Sequence, residues 1–189
     1  LDAPVARYWP EFAAAGKPTG KKDLGAIARA YGNVFVAQIS LGANDAQSIK
    51  ALIEAEAWPG PSLVIAYATC IAHGIDMTRS MSHQKDAVKS GYWPLYRYKP
   101  TVEEHERPFQ LDSAAPTIPL KEFALQEARF SMLARSDPDR SAMLLALAQE
   151  EIDERWRYYE QLAGLTRTLP RPDEVPVELT DHTEDVNDD

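Results

Sequence analysis

Pro61-Ser62-Leu63-Val64-Ile65-Ala66-Tyr67-Ala68-Thr69-Cys70-Ile71-Ala72-His73-Gly74 decides how this chain is read. The residues before it, Trp58-Pro59-Gly60-Pro61, form a turn. Residues 62–69 are apolar, partly β-branched and uncharged, which suits a buried strand. The run ends on Cys70, the only cysteine of the protein. In an open α/β sheet, functional groups collect beyond the carboxyl ends of the strands, and Cys70 stands in such a place.

Working upstream, Val34 to Leu41 reads as a second strand. Gly42-Ala43 turns into a helix capped by Asn44, with Gln47 three residues on as in a capping box. Ile49, Leu52 and Ile53 are its expected buried stripe. Strand, helix and strand in that order predict a right-handed parallel crossover. Asp23 caps a short helix through Tyr31, with Leu24, Ile27 and Ala28 on one face and Gly32 as the stop. Leu1 to Pro10 show no period. Gly16-Lys17-Pro18-Thr19-Gly20-Lys21-Lys22 invites a phosphate-loop reading, with Lys17, Lys21 and Lys22 as the cations. Its glycines are one residue too close for GxxxxGK, and Lys22 stands at the Ser/Thr position. A solvated basic loop is the better account.

Downstream, Ile71 to Thr78 is a loop, and a polar helix from about Ser80 to Ser90 ends at Gly91. Trp93 to Tyr98 reads as a third strand, where Pro94 suits an edge or a first position. Lys99 to Thr117, rich in proline and charge, reads as an extended connector. A helix from Leu120 to Arg135 would bury Leu120, Phe123, Ala124, Phe130 and Leu133. Another starts with Asp137 as cap and Pro138 at its first position. Its stripe is Leu145, Ala148, Ile152, Trp156, Tyr159 and Ala163, and Gly164 ends it. The expected class is α/β: a partial parallel sheet followed by two C-terminal helices.

The 189 residues fit one domain of ordinary size. The net charge of −9 is uneven: Asp173 to Asp189 hold eight acidic residues and no Lys or Arg, while the other 172 carry 21 acidic and 20 basic. This tail, expected to be disordered from about Pro172, argues against nucleic acid and anionic membranes as partners. No apolar run nears the roughly 20 residues that span a bilayer. No signal-peptide pattern is visible either, so a cytoplasmic location is expected. The start at Leu1 fits a processed or excised N-terminus.

One cysteine can neither form an internal disulfide nor hold a cluster unaided. Cys70 reads as a small buried hydrophobe, a ligand of a cluster shared with another segment, or a reactive thiol. His73, three residues on, adds only a Cys-x2-His pair. His83, His105 and His182 complete no Ser–His–Asp pattern, and Glu150 and Glu151 read as a solvated helix face. Trp93, Tyr96 and Tyr98 could stack on a ligand or fill a core. In the turn from Ala55 to Ser62, two prolines and a glycine free backbone carbonyls for a hard cation such as calcium, against the alternative of an ordinary hydrated turn.

Four stretches are similar to the pyruvate:ferredoxin (flavodoxin) oxidoreductases, in that family's order and spacing: Phe12 to Leu24, Pro59 to Ile71, Ala87 to Tyr98 and Pro108 to Ser113. The likeness covers roughly Phe12 to Gly164. It implies the C-terminal half of a thiamine-diphosphate domain over 12–164, preceded by a divergent segment, 1–11, and followed by the acidic tail, 165–189. The implied enzyme decarboxylates pyruvate on thiamine diphosphate with Mg2+, makes acetyl-CoA and passes electrons through iron–sulfur clusters to ferredoxin or flavodoxin. Cys70 matches one thiolate ligand of a [4Fe–4S] cluster, which requires four. The turn matches a calcium site of backbone carbonyls at Ala55, Trp58, Gly60 and Ser62.

The thiamine and magnesium motif GDG…N, the other three cysteines, and the regions that bind pyruvate and CoA are not in this sequence. The resemblance therefore implies a chain inactive alone, an excised or truncated piece or one subunit of a split enzyme, completed by the remainder of the oxidoreductase as a homo-oligomer. The alternative is a non-catalytic remnant acting as a binding or assembly module. A half-sheet would leave an edge strand and one face uncovered.

Overall fold

The computed structural model describes residues 22–100 and 106–166. Four strands form one sheet in the order β2-β1-β3-β4. They are β1 Phe35–Ile39, β2 Ser62–Ala66, β3 Tyr96–Tyr98 and β4 Phe109–Leu111. The helices are α1 Leu24–Ala30, α2 Asp45–Ala57, α3 Ser80–Lys89, α4 Leu120–Ala124, α5 Ala128–Ser136 and α6 Pro138–Gly164. The α/β class and the C-terminal helices are as expected. The sheet, however, is mixed. β1 and β2 run parallel, Phe35 opposite Ser62 and Ile39 opposite Ala66, because α2 carries the chain back across the sheet. β3 runs antiparallel to β1, and β4 antiparallel to β3.

β3 is thus an interior strand, not an edge. Pro94 stands two residues before it, where a missing N–H breaks no ladder, and its carbonyl accepts Gln38 Nε2 at 2.7 Å. β4 lies within the segment expected to be a connector, since three residues are too few to show a period. The strands read as 34–41 and 62–69 are shorter, at five residues each. β2 is an edge, with Ser62 and Ala66 exposed.

The caps formed as expected. Asp23 Oδ1 accepts Ala26 N–H at 2.8 Å, Asn44 Oδ1 accepts Gln47 N–H at 2.9 Å, and Asp137 Oδ1 accepts Arg140 N–H at 3.0 Å. The faces of two helices did not. In α2, Ile49, Leu52 and Ile53 are 55%, 52% and 61% exposed, and Gln47, Ser48 and Ala51 face the sheet instead. Small side chains let a helix axis approach the strands closely, which long aliphatics would prevent. In α1, Leu24 and Ile27 are likewise exposed, while Gly25 and Ala28 pack inward. Gly25 has no alternative, because a Cβ there would lie 1.9 Å from the Tyr96 hydroxyl.

The single helix expected over 120–135 is two. It breaks before Ala128, where Glu127 adopts an extended backbone as the N-cap of α5 and is fully buried. Leu120, Phe123, Ala124, Phe130 and Leu133 are nonetheless all buried. In α6, Leu145, Ala148, Ile152 and Tyr159 are buried, with Trp156 and Ala163 only half-buried.

Three apolar clusters result. Phe35, Ala37, Ile39 and Ala51 lie between the sheet and α2. Ala28, Val36, Tyr96, Phe109 and Tyr159 lie on the opposite face. The third, beyond the carboxyl ends of β1 and β2, joins Ala87, Phe123, Phe130, Leu145 and Ile152 and is flanked by Tyr67, Tyr92 and Trp93. Lys17, Lys21, His105, His182 and the acidic tail lie outside the described residues.

Candidate functional site

Cys70 is a free thiol, half-buried, four residues past the end of β2. It is therefore not the fully enclosed small hydrophobe that one reading allowed. Its backbone is extended, and its carbonyl accepts the N–H of His73 at 3.0 Å to open a tight turn over Ile71–His73. Gly74 closes the turn at φ 69°, a conformation that suits glycine. The chain then passes Asp76, whose carboxylate accepts Thr78 Oγ1 at 2.7 Å and Thr78 N–H at 3.0 Å. Those two bonds, with Arg79 adding to them, hold the Asp76 carboxyl below its ordinary range.

Behind this loop lies a buried polar network that the sequence did not announce. Glu127 Oε1 accepts from His83 Nε2 at 2.9 Å, and Oε2 is bonded by Arg129 Nε. Arg129 Nη1 lies 3.3 Å from His73 Nε2. The Glu127 carboxylate also acts on Tyr67: burial first, and that negative charge second, push the phenol pKa far up. Burial raises the Tyr92 phenol as well, opposed by Arg129. Aromatic rings surround the group: His83 stacks on Phe123 at 4.7 Å, while Phe123 with Tyr92 at 5.1 Å and Tyr67 with Trp93 at 5.4 Å are tilted pairs. Thr69 Oγ1 and Ser80 Oγ, 2.5 Å apart, join the residue before Cys70 to the start of α3.

The donors present suit one corner of an iron–sulfur cluster and no more. A half-exposed thiol at the mouth of a loop can share its sulfur with a group held elsewhere. Among the described residues, no three His, Cys, Asp or Glu side chains converge on a metal position. His73 is drawn toward Arg129. Trp93, Tyr96 and Tyr98 serve packing: Trp93 Nε1 donates to the Ile39 carbonyl at 2.9 Å, and Tyr96 is fully buried against Phe109 and Tyr159.

The second candidate sits at the other end of β2. Ala55 is in the last turns of α2, Trp58 is its C-cap, Gly60 follows, and Ser62 begins β2. Ser62 Oγ donates to the Ala55 carbonyl at 2.8 Å, and Trp58 Nε1 donates to the Asn33 carbonyl at 3.1 Å. The Ala55 oxygen keeps a second lone pair, so the turn retains acceptor capacity. The turn and Cys70 lie at opposite ends of β2, the thiol four residues past its end. Beside the turn, Arg97 is clamped by Glu54 at 2.6 Å and by Asp112 at 2.8 Å. Its hydrogen bonds to Asp112, then to Glu54, raise its pKa further. A groove of about 520 Å³ opens there between Trp58, Lys99, Arg107 and Gln110.

No protein-family model matches the chain. Curated relatives do match, among them the following three. The chain is 52% identical over 155 residues to the pyruvate-flavodoxin oxidoreductase of Nostoc sp., 82% of this chain and 13% of that protein. It is 49% identical over 155 residues to the pyruvate-flavodoxin oxidoreductase of Trichormus variabilis, at the same coverage. It is 48% identical over 153 residues to the pyruvate:ferredoxin oxidoreductase of Moorella thermoacetica, 80% of this chain and 13% of that protein. The chain thus spans about an eighth of the length of these relatives. No described helix is long and apolar enough to cross a membrane.

Proposed function

This chain is the counterpart of one segment of the pyruvate-flavodoxin and pyruvate:ferredoxin oxidoreductases, and from that premise we propose that it works as part of such an enzyme in the cytoplasm. The observation that carries the reading is the 52% identity sustained over 155 residues. The reaction is the oxidative decarboxylation of pyruvate with CoA to acetyl-CoA and CO2, with electrons passed to ferredoxin or flavodoxin. Thiamine diphosphate with Mg2+ would supply the carbanion chemistry that releases CO2. Pyruvate, CoA and the cofactor phosphates bind on the remainder of the oxidoreductase, which assembles as a homo-oligomer.

Within that assembly Cys70 gives one thiolate to a [4Fe–4S] cluster. Its place past a parallel strand, on the sheet's functional side, supports the assignment. The carbonyls of Ala55, Trp58, Gly60 and Ser62 hold a structural Ca2+ at the far end of β2. Alone, the chain offers one of four cluster ligands and is inactive.

The test is complementation. The chain is produced anaerobically with a polypeptide carrying the thiamine motif and the missing cysteines. Iron content, the electron paramagnetic resonance of the reduced cluster, and pyruvate- and CoA-dependent dye reduction are then measured. Cys70→Ser should abolish the cluster signal and the dye reduction together. A correctly assembled complex that keeps both with Cys70→Ser would overturn the assignment. The exposed aliphatic stripe of α2 favours the second reading, a non-catalytic binding module. In that case Cys70→Ser would leave both partner binding and the biological effect intact.

A further inference from the structure

Glu127 is the most deeply buried carboxylate among the described residues and is fully enclosed. The reading of Cys70 as a cluster ligand gives it no task. Its contacts explain its place. Its negative charge, after burial, raises the phenol pKa of Tyr67, three residues before Cys70. Arg129, bonded to its carboxylate, reaches His73, three residues after Cys70. The Gly74 carbonyl, one residue further, accepts the N–H of Ala128 at 3.3 Å, and a Cβ on Gly74 would fall 2.3 Å from the Ala128 Cβ. The loop is therefore gripped on its C-terminal flank by the start of α5. His83 on α3 anchors the carboxylate from behind at 2.9 Å.

We infer that Glu127 and Arg129 are positioning residues for Cys70: the carboxylate fixes the guanidinium, the guanidinium reaches His73, and together with the Ala128 N–H on the Gly74 carbonyl they hold the backbone just after the thiol in one conformation. A cluster ligand gains from this, because a sulfur already placed loses less conformational freedom when the metal binds. A buried carboxylate is a costly way to hold a fold together, and an apolar residue of its size would pack as well. Its retention beside the thiol loop fits a demand for orientation. The inference rests on the proposed ligand role of Cys70 only for its purpose; the clamp is a property of the metal-free chain.

The experiment uses the full chain without metal. Hydrogen exchange is read at the amides of 68–74 and, as a reference, at Phe35–Ile39 of β1. The rate of Cys70 alkylation by iodoacetamide is measured in parallel. Glu127→Gln and Arg129→Met should speed exchange at 68–74 and alkylation tenfold or more, with β1 protection unchanged. Arg129→Lys, which keeps a cation within reach, should recover at least half of the change on a logarithmic scale. His73→Ala, outside the buried pair, should give a threefold local rise and decides the matter should either buried substitution unfold the chain. Equal acceleration in the loop and in β1, or none in the loop, would overturn the inference. Either result leaves the ligand role to the complementation test, whose failure would equally leave a demonstrated clamp standing.

Discussion

α2 and α6 both carry aliphatic side chains at helical spacing, and they turn them in opposite directions. α6 lays Leu144, Leu145, Ala148 and Ile152 against the body of the protein. α2 lays Gln47, Ser48 and Ala51 against β1 and β2, and points Ile49, Leu52 and Ile53 away. α6 packs mainly on other helices, where ridges of large side chains enter grooves. α2 sits on the sheet, where Ala37 and Ala51 are both fully buried and small residues permit close approach. An apolar stripe reports that a surface is apolar. It does not report whether the surface that covers it belongs to the same stretch of chain.

Five measurements would break or sharpen this contrast. Phe123→Ala removes a fully buried ring that stacks on His83 and Tyr92. It should cost ~3–5 kcal/mol in urea unfolding; a loss under 1 kcal/mol would show the α6-side core to be loosely packed. The next effect is alkaline. Burial pushes the Tyr96 phenol from 10.0 to about 12. The unfolded chain therefore loses that proton first, and stability complete below pH 10 should fall by on the order of 2–3 kcal/mol as pH rises toward 12. Absorbance at 295 nm should show Tyr96 ionising only together with unfolding.

Arg97→Met strips Glu54 and Asp112 of their shared partner on the α2 side. The expected loss is ~1–3 kcal/mol in urea unfolding at neutral pH. Asn44→Ala removes the cap of α2 and should cost about 1 kcal/mol. Leu52→Ser, in the outward stripe, should change stability by no more than ~0.5 kcal/mol. If it cost as much as Phe123→Ala, the stripe would be buried in solution and the contrast between the two helices would fail.

Features that depend on neighbours in sequence were legible. The caps at Asp23, Asn44 and Asp137 each satisfy the N–H group three residues on, and Gly91, at φ 71°, ends α3 where a left-handed residue was needed. What was missed depends on distant residues. Nothing near Glu127 says that it will meet His83, 44 residues earlier. In sequence it lies inside the stretch from Leu120 to Arg135 that reads as one helix, and nothing there singles it out. The break between α4 and α5 is the local sign of the same event, since drawing the carboxylate inward takes its backbone out of helical geometry. Arg97 was likewise read only as part of a strand, and its two carboxylate partners come from α2 and from just beyond β4. Cys70 stood out because it is the only cysteine, but its proposed role came from the family resemblance and not from its spacing.

α6 is 27 residues long, about 40 Å at 1.5 Å per residue. Its first half supplies Leu145, Ala148 and Ile152 to the cluster beyond the strand ends, and its last turns supply Tyr159, Leu162 and Ala163 to the cluster on the sheet. Between them Arg155 Nη2 donates to the carbonyls of Gly91 at 2.9 Å and Tyr92 at 3.0 Å. Two cores that share one rod cannot melt independently. Unfolding should pass through a single transition, and the segment that carries the thiol should lose its order together with the strands rather than ahead of them.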